Sequence, residues 1–355
     1  MIINYLRAIT RLFYKGNLGP LYLIHFITNK CNAKCKHCFY WQSLNTHEKT
    51  LTVEEIDKMT KHLGRMLFVN LTGGEPFLRP DVAEIAKVYY KNTKPINITI
   101  PTNGILTEKI AKDTEEILRA CPRTTLAIKF SIDGTEKTHD DIRGFAGIFN
   151  SLLNTYNRLN ELKKNYHNLD IYFTTVVSSA NQNNLDDLFN FMKENLKDNT
   201  WLVLLARGDT KDPTIKNFDE KIYKAFAEKI RNTFGNKSRL FFSELLLARD
   251  KVSDDIVYKT TVENKYLSPC YAGRTAGVID ENGNIKPCEI LSDTFGNIRD
   301  YDYNFKKLWT DVKAKKIRKK ILDTKCFCTH ECFVGNNVIF NLMMWPKIIA
   351  KLLRK

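Results

Sequence analysis

Long apolar runs are the first thing this 355-residue sequence lacks. A bilayer-crossing helix needs about 20 consecutive apolar residues, and the uncharged stretch Val334–Pro346 has only 13. A small-residue cleavage site of the secretory kind is missing near the N-terminus. Internal repeats and low-complexity linkers are missing too, which excludes a solenoid or a tethered array. Acidic side chains are absent from both ends: residues 1–20 carry three basic groups and no acid, and residues 338–355 carry four and no acid. These ends supply +7 of the formal net charge of +15, so nearly half of the excess sits where the chain is also strongly apolar. That combination suits an anionic membrane surface at least as well as a nucleic-acid groove. With no RNA-binding module and no interleaved aromatic–basic motif, a nucleic-acid partner is not expected.

What is present can build a core. A hydrophobic fraction of 43% and an aromatic fraction of 11% exclude global disorder despite the many lysines and asparagines. The length suits one large α/β domain plus a smaller one. Nine cysteines are too many to be incidental, and they gather in tight groups at Cys31–Cys38 and Cys326–Cys332. A secreted disulfide framework would spread them. The expectation is therefore a reducing, cytoplasmic setting in which clustered thiols bind metal.

From residue 21 short apolar strands alternate with amphipathic helices. Strands are expected at Leu21–Thr28, Met66–Leu71, Ile96–Pro101, Thr125–Ser131, Ile171–Val177 and Trp201–Leu205. Helices are expected near 53–63, 81–92, 107–119, 145–165, 184–197 and 217–235. Thr52 and Glu55 have capping-box spacing, which marks the first helix start. Six strand–helix units imply right-handed crossovers and a parallel sheet, open or curved into a partial barrel. Ligands belong beyond the C-terminal strand ends of such a sheet. There the chain places the first cysteine run, Gly73-Gly74-Glu75-Pro76, Thr102-Asn103-Gly104 and Ser131-Ile132-Asp133-Gly134, after strands one to four. After about 236 the rhythm changes. A helical or irregular connector at 240–265 precedes a hairpin that turns at Asp280-Glu281-Asn282-Gly283-Asn284.

Cys31, Cys35 and Cys38 form a Cys-x3-Cys-x2-Cys run in a loop directly after a strand. Three thiolates can hold three irons of a four-iron cube and leave the fourth open to bind and reduce a ligand. The alternative is zinc, which wants a fourth ligand; His37, between Cys35 and Cys38, is awkwardly placed to be one.

The run Cys31-Asn32-Ala33-Lys34-Cys35-Lys36-His37-Cys38 resembles the hallmark of the radical S-adenosylmethionine superfamily. The resemblance covers roughly residues 20–235. It implies an open [4Fe-4S] cluster on Cys31, Cys35 and Cys38 that chelates the methionine end of S-adenosylmethionine and cleaves it to a 5′-deoxyadenosyl radical. His37 then lies near the adenine. Gly73, Gly74 and Glu75 match the stretch that receives the methionine amino group, where a carboxylate facing an ammonium gives a charge-assisted contact. Ser131, Asp133 and Arg143 resemble the ribose and carboxylate contacts of the peptide-modifying branch. A low-potential donor such as flavodoxin or ferredoxin is the implied source of the electron.

Cys270-x12-Gly283-x4-Cys288, followed by Cys326, Cys328 and Cys332, resembles the auxiliary-cluster domain called SPASM, or its shortened twitch form. Five cysteines suffice for one four-thiolate cluster, so one is spare. The expected set is Cys270, Cys288 and Cys332 with either Cys326 or Cys328; a structural zinc knot would use the same thiolates. Cys121 is expected to be an ordinary buried cysteine. The implied fold class is α/β, a partial (β/α)6 barrel with a small C-terminal cysteine-rich auxiliary-cluster domain. Its divisions are an amphipathic helix at 1–20, the core at 21–235, a connector at 236–265, the auxiliary domain at 266–335 and a basic amphipathic helix at 336–355.

Two readings of the ends stay open. Ile2, Leu6, Ile9 and Phe13 form an apolar stripe, as do Ile348, Ile349, Leu352 and Leu353. Either these helices cover edges of the core, or they rest on the inner face of a membrane. The expected function is an oxygen-sensitive radical enzyme acting on a peptide, a protein, or a membrane-associated lipid or glycolipid. The short segment before residue 20 weighs against a leader-guided peptide enzyme. A non-catalytic iron–sulfur electron carrier or metal-dependent binding protein is the competing class.

Overall fold

The computed structural model describes residues 19–46, 49–235, 237–238, 240 and 242–353. The stripe from Ile2 to Phe13 lies outside them. Nine strands form one sheet: β1 (Tyr22–Thr28), β2 (Phe68–Gly73), β3 (Asn97–Thr102), β4 (Thr125–Ser131), β5 (Leu169–Val177), β6 (Thr200–Leu205), β7 (Ala276–Ile279), β8 (Asn284–Lys286) and β9 (Gly296–Asn297). Their order is β6-β5-β4-β3-β2-β1-β7-β8-β9. The first six are parallel, as βαβ crossovers require. The sheet is the α/β partial-barrel arrangement expected from the sequence.

The crossovers are α1 (Val53–Thr60), α2 (Val82–Thr93), α3 (Thr107–Ala120), α4 (Glu136–Arg143), α5 (Ile148–Asn165) and α6 (Leu185–Asn195); α7 (Glu220–Phe234) follows β6. Leu126, Ile128 and Phe130 of β4 are buried in the core, while Thr125, Lys129 and Ser131 alternate with them and stay half-buried on the inner face. The α4 segment was not expected from the sequence. Its eight residues are largely polar, so no apolar stripe announces it, and it ends at Gly144 in a left-handed conformation with φ 62°. Strand β5 begins two residues before its apolar run because buried Asp170 accepts a hydrogen bond from Ser238 at 2.7 Å.

The connector is a long helix, α8 (Ser243–Glu263). The hairpin forms at the expected residues, with Asp280 Oδ1 accepting from the backbone N–H of Asn284 at 2.8 Å. Gly283 sits at φ +87°, and a Cβ there would press on Leu51 and Ile298 at 3.0 Å. The motif glycine is thus needed for both conformation and space. β7 pairs in parallel with β1, so the hairpin extends the main sheet instead of standing apart from it. The chain continues through α9 (Phe305–Trp309), α10 (Val312–Asp323), α11 (Glu331–Phe340) and α12 (Trp345–Leu353). Both α11 and α12 pack on α8. Ile348 is fully buried there, whereas Leu342, Met343, Ile349 and Leu353 are exposed. No helix among the described residues is long and apolar enough to cross a membrane.

The capping box read from Thr52 and Glu55 is present, with Glu55 accepting from the Thr52 N–H at 2.9 Å. The same carboxylate also receives Arg299 at 2.7 and 2.9 Å and Tyr303 at 2.8 Å, tying α1 to the segment after β9. The Arg299 hydrogen bonds hold the Glu55 carboxyl down at about 2. A depressed carboxyl stabilises the fold above its ordinary range near 4.5 and loses that contribution as pH falls toward 2. Glu55→Gln should therefore cost about 2 kcal/mol near neutral pH. In urea titrations at stepped pH, the gap from the wild type should narrow below about pH 4.5; a gap independent of pH would refute the assignment.

Candidate functional site

The first site grows from the C-terminal end of β1. The loop carrying Cys31, Cys35 and Cys38 leaves the strand and is strapped from two sides. Lys34 N donates to Arg143 O at 3.0 Å and Lys36 N to Ile142 O at 2.9 Å, both from the end of α4. From beyond β6, Lys211 N donates to Cys38 O at 3.1 Å and Asp212 N to Lys36 O at 2.9 Å. Asn45 closes the loop internally, accepting from Cys31 N at 3.0 Å. All three thiols stay half-buried.

Gly73 and Gly74 bring the end of β2 against this loop. Gly74 N donates to Thr28 O at 2.9 Å and Glu75 N to Lys30 O at 2.8 Å. A Cβ on Gly73 would lie 2.0 Å from Thr28 O, and one on Gly74 2.2 Å from Lys30 O and 3.0 Å from Cys31 Cβ. The sequence suggested that these glycines make room for a ligand; in the structure they make room for the cysteine loop. Glu75 is 1% exposed and fully engaged, accepting from Phe77 N at 3.2 Å, Thr102 Oγ1 at 3.0 Å and Asn103 N at 2.8 Å. Burial pushes its carboxyl up to about 7, against the pull of those hydrogen bonds.

Beneath the loop lies a buried charge pair. Arg143 Nη2 is 2.6 Å from Asp133 Oδ2, and Nη1 points to Cys35 Sγ at 3.6 Å. Asp133 Oδ1 also accepts from Val176 N at 2.9 Å. Burial opposes the charge on Asp133, but Arg143, His37, His139 and the Val176 N–H together outweigh it and hold the carboxyl below the usual range. Arg143 is thus an internal partner and not a solvated charge. His37 Nε2 lies 3.9 Å from Asp133 Oδ2, and its Nδ1 has no hydrogen-bond partner. Burial lowers the ring to about 4, so it is neutral near pH 7. Ser131, at the end of β4, remains half-buried beside these groups in sequence and pairs with Thr174 in register.

The second site gathers Cys270, Cys288, Cys326 and Cys328. Cys326 and Cys328 both raise the hold of Cys270 and of Cys288 on their protons. Cys270 keeps its proton and Cys326 gives its proton up more readily. The Cys332 thiol, on the first turn of α11, is influenced by His330, Lys129 and Glu289, and it acts in turn on Tyr22 and, with Cys328, on Arg207. Cys121 is buried, as expected.

Cysteine-only donor sets are of the kind that takes iron–sulfur clusters, although as placed no three His, Cys, Asp or Glu among the described residues are grouped to hold a metal ion. Burial pushes Cys31 to about 12 and Cys38 to about 11, with thiolate–thiolate repulsion adding to both. Cys31 and Cys38 therefore keep their protons when the loop is empty of charge, and a cationic centre would draw those protons off. His37 is turned to Asp133, so the loop offers three donors, the number that leaves one iron open.

The sequence pattern of the Radical SAM superfamily matches residues 26–192. An AdoMet-dependent heme synthase from Methanosarcina barkeri (strain Fusaro / DSM 804) is 28% identical over 84% of this chain and 85% of its own. The antilisterial bacteriocin subtilosin biosynthesis protein AlbA of Bacillus subtilis (strain 168) is 24% identical over 86% of this chain and 65% of its own. A cysteine-type anaerobic sulfatase-maturating enzyme from Clostridium novyi (strain NT) is 24% identical over 85% and 81%. Among solved structures, native anSMEcpe with bound AdoMet and Cp18Cys peptide superposes with a TM-score of 0.60 at 20% identity, covering 94% of this chain and 99% of that one. Streptococcus suis SuiB bound to S-adenosylmethionine gives 0.60 at 18% identity, covering 89% and 72%.

Residues 26–192 carry a Radical SAM domain, and the chain is an enzyme. That domain family uses a [4Fe-4S] cluster and S-adenosylmethionine, and the relatives with a C-terminal SPASM domain carry auxiliary clusters as well. A non-catalytic electron carrier is thereby set aside.

Several site residues escaped the sequence reading. Asn45 and Lys211 hold the cysteine loop from positions that no motif marks. Arg207 lies over the Phe39 ring, 5.6 Å from its centroid, and pairs with Glu331 at 2.6 Å. Glu289 and His330 could have been noticed only as neighbours of Cys288 and of Cys328 and Cys332 in the chain.

Gly74→Ala should displace the cysteine loop, because backbone cannot yield as a flexible side chain can. A loss of about 2–4 kcal/mol is expected. Iron bound by anaerobically reconstituted protein should fall by roughly half, the N-terminal cluster being lost and the auxiliary one kept. Full iron loading in this variant would show that the close approach does not matter to the site.

Proposed function

We propose that Cys31, Cys35 and Cys38 hold the open cluster, and that the chain uses the 5′-deoxyadenosyl radical to abstract hydrogen from a peptide or protein. The bound cluster supplies an electron that cleaves S-adenosylmethionine and so makes the radical. The chain's own residues bind, orient and shield. Gly73, Gly74 and Glu75 fix the cysteine loop, and Asn103, whose Nδ2 donates to Asn32 Oδ1 at 2.7 Å, braces it from β3. Glu75, Ser131, Asp133, Arg143 and His37 form the surroundings of the cosubstrate, with the Arg143–Asp133 pair placing a guanidinium against Cys35. Four of Cys270, Cys288, Cys326, Cys328 and Cys332 hold the auxiliary cluster, which leaves no iron for the substrate to bind. The low-potential electron comes from a flavodoxin- or ferredoxin-type protein.

A single observation carries this reading: three half-buried thiols on one loop pinned by the glycines that end β2. The peptide or protein substrate is supported by the sulfatase-maturating and bacteriocin-biosynthesis relatives and by the peptide-bound structural relative. Anaerobic reconstitution with dithionite and S-adenosylmethionine should yield 5′-deoxyadenosine. Cys31→Ala should abolish it, with at least a 100-fold loss on the order expected for removing an essential cofactor ligand. A fully loaded wild-type protein that forms none would overturn the assignment.

A peripheral membrane contact rests on one further observation. Leu342, Met343, Ile349 and Leu353 are exposed, Met343 at 83%, beside Lys347 and Lys351. Lys351 reaches Asp255 at 3.1 Å, so part of that basic charge is spent within the fold. Co-sedimentation with anionic vesicles should drop several-fold when residues 342–353 are removed; binding that survives the deletion would exclude this segment as the anchor.

A further inference from the structure

Two buried side chains that no motif marks hold the turn after β4. Asp133, itself fully buried, is gripped at both ends of its main chain. Its N–H donates to His139 Nδ1 at 3.1 Å, and its C=O accepts from Asn181 Nδ2 at 2.9 Å. The same Asn181 amide donates to Val176 O at 2.9 Å, while its Oδ1 accepts from Ser178 N at 2.9 Å. One side chain thus ties the turn after β4 to the end of β5, where Val176 N also reaches Asp133 Oδ1 at 2.9 Å. His139 and Asn181 are buried as well, so water does not compete for these contacts.

His139 can arrive from α4 because the turn before that helix has room. A Cβ on Gly134 would lie 2.6 Å from Thr138 Cγ2 and 3.2 Å from His139 N, so glycine lets the helix fold back over the turn. Burial, with Arg143 nearby, holds the imidazole down at about 4, and the ring is neutral near pH 7. A neutral ring has one acceptor nitrogen. Here the Asp133 N–H takes it.

What this clamp fixes belongs to the site. The Asp133 carboxylate meets Arg143 Nη2 at 2.6 Å, and the carbonyls of Arg143 and Ile142 strap Lys34 and Lys36 of the cysteine loop. A rotation of the Asp133 peptide would carry its carboxylate away from that guanidinium. We propose that His139 and Asn181 are positioning residues for S-adenosylmethionine, holding the Asp133 peptide so that its carboxylate and Arg143 face the cosubstrate. They act through Asp133 and do not touch the cosubstrate. The proposal rests on the functional reading above, which sets the cosubstrate beside these two charges.

The test measures 5′-deoxyadenosine formation against S-adenosylmethionine concentration in anaerobically reconstituted holoenzyme. Iron content and thermal unfolding are read on the same samples. His139→Phe keeps a ring and loses the acceptor, whereas His139→Asn is smaller and keeps an acceptor near the Nδ1 position. Asn181→Asp keeps the shape and loses the donor. His139→Phe and Asn181→Asp should each raise KM for S-adenosylmethionine about 10-fold, with iron content kept. His139→Asn should recover most of that loss even where its Tm falls below that of His139→Phe. A role in filling space gives the reverse order, with KM following Tm, and overturns the proposal. An unchanged KM in both His139→Phe and Asn181→Asp overturns it as well, as does loss of the N-terminal cluster's iron. Should His139→Phe not fold, Asn181→Asp carries the KM measurement alone. Wild-type formation of 5′-deoxyadenosine is scored first, so a failure of the radical reading is told apart from a failure of the clamp.

Discussion

The contact on which the rest of the molecule depends is backbone against backbone, where the end of β2 meets the loop leaving β1. Two N–H groups, of Gly74 and Glu75, donate across that contact to Thr28 and Lys30, and the absence of two Cβ atoms lets the chains approach. Such contacts cannot yield to a change of rotamer, so they fix the cysteine loop before any metal arrives. Glu75 continues the brace to the end of β3, and the loop's far side is strapped to α4 and to the segment after β6. Three thiols on a short irregular loop thereby acquire a defined arrangement, which a catalytic centre needs from its scaffold.

Charge is buried under the same loop at some expense. Asp133 and Arg143 lie in an environment where either alone would be strongly destabilising, and together they are tolerated because the geometry is close and Val176 N supplies a further donor. The pair also places a guanidinium beside the cysteine loop, with Arg143 Nη1 at 3.6 Å from Cys35 Sγ. Glu75 shows the opposite balance: three donors surround its carboxylate, yet burial still raises its affinity for a proton. Two acids a short distance apart are thus driven in opposite directions by their surroundings, as is common where chemistry is done.

Much of this was legible in the sequence. The six strands, most of the helices, the hairpin at Asp280–Asn284 and the cap at Thr52 followed from periodicity and turn chemistry, which act over a few residues. The α4 helix was hidden because its eight residues are mostly polar, and the start of β5 because a buried aspartate interrupts the apolar pattern. The roles of Gly73 and Gly74 were half legible: their place after a strand marked them as part of the site, but not their close approach to the cysteine loop.

The sequence by itself determined that this chain builds a parallel α/β sheet, that its first three cysteines share a loop at the end of a strand, and that five more lie in a later segment. Those facts are local, set by hydrophobic period and by spacing along the chain. Only the tertiary structure decided which distant residues act on the later cysteines, as Tyr22, Lys129 and Glu289 do with Cys332. Residues 22, 129, 289 and 332 are far apart in the chain, and their meeting depends on how the strands are ordered and how a helix closes the free edge of β6. No spacing rule carries that information, because the order of strands is fixed by packing across the whole sheet.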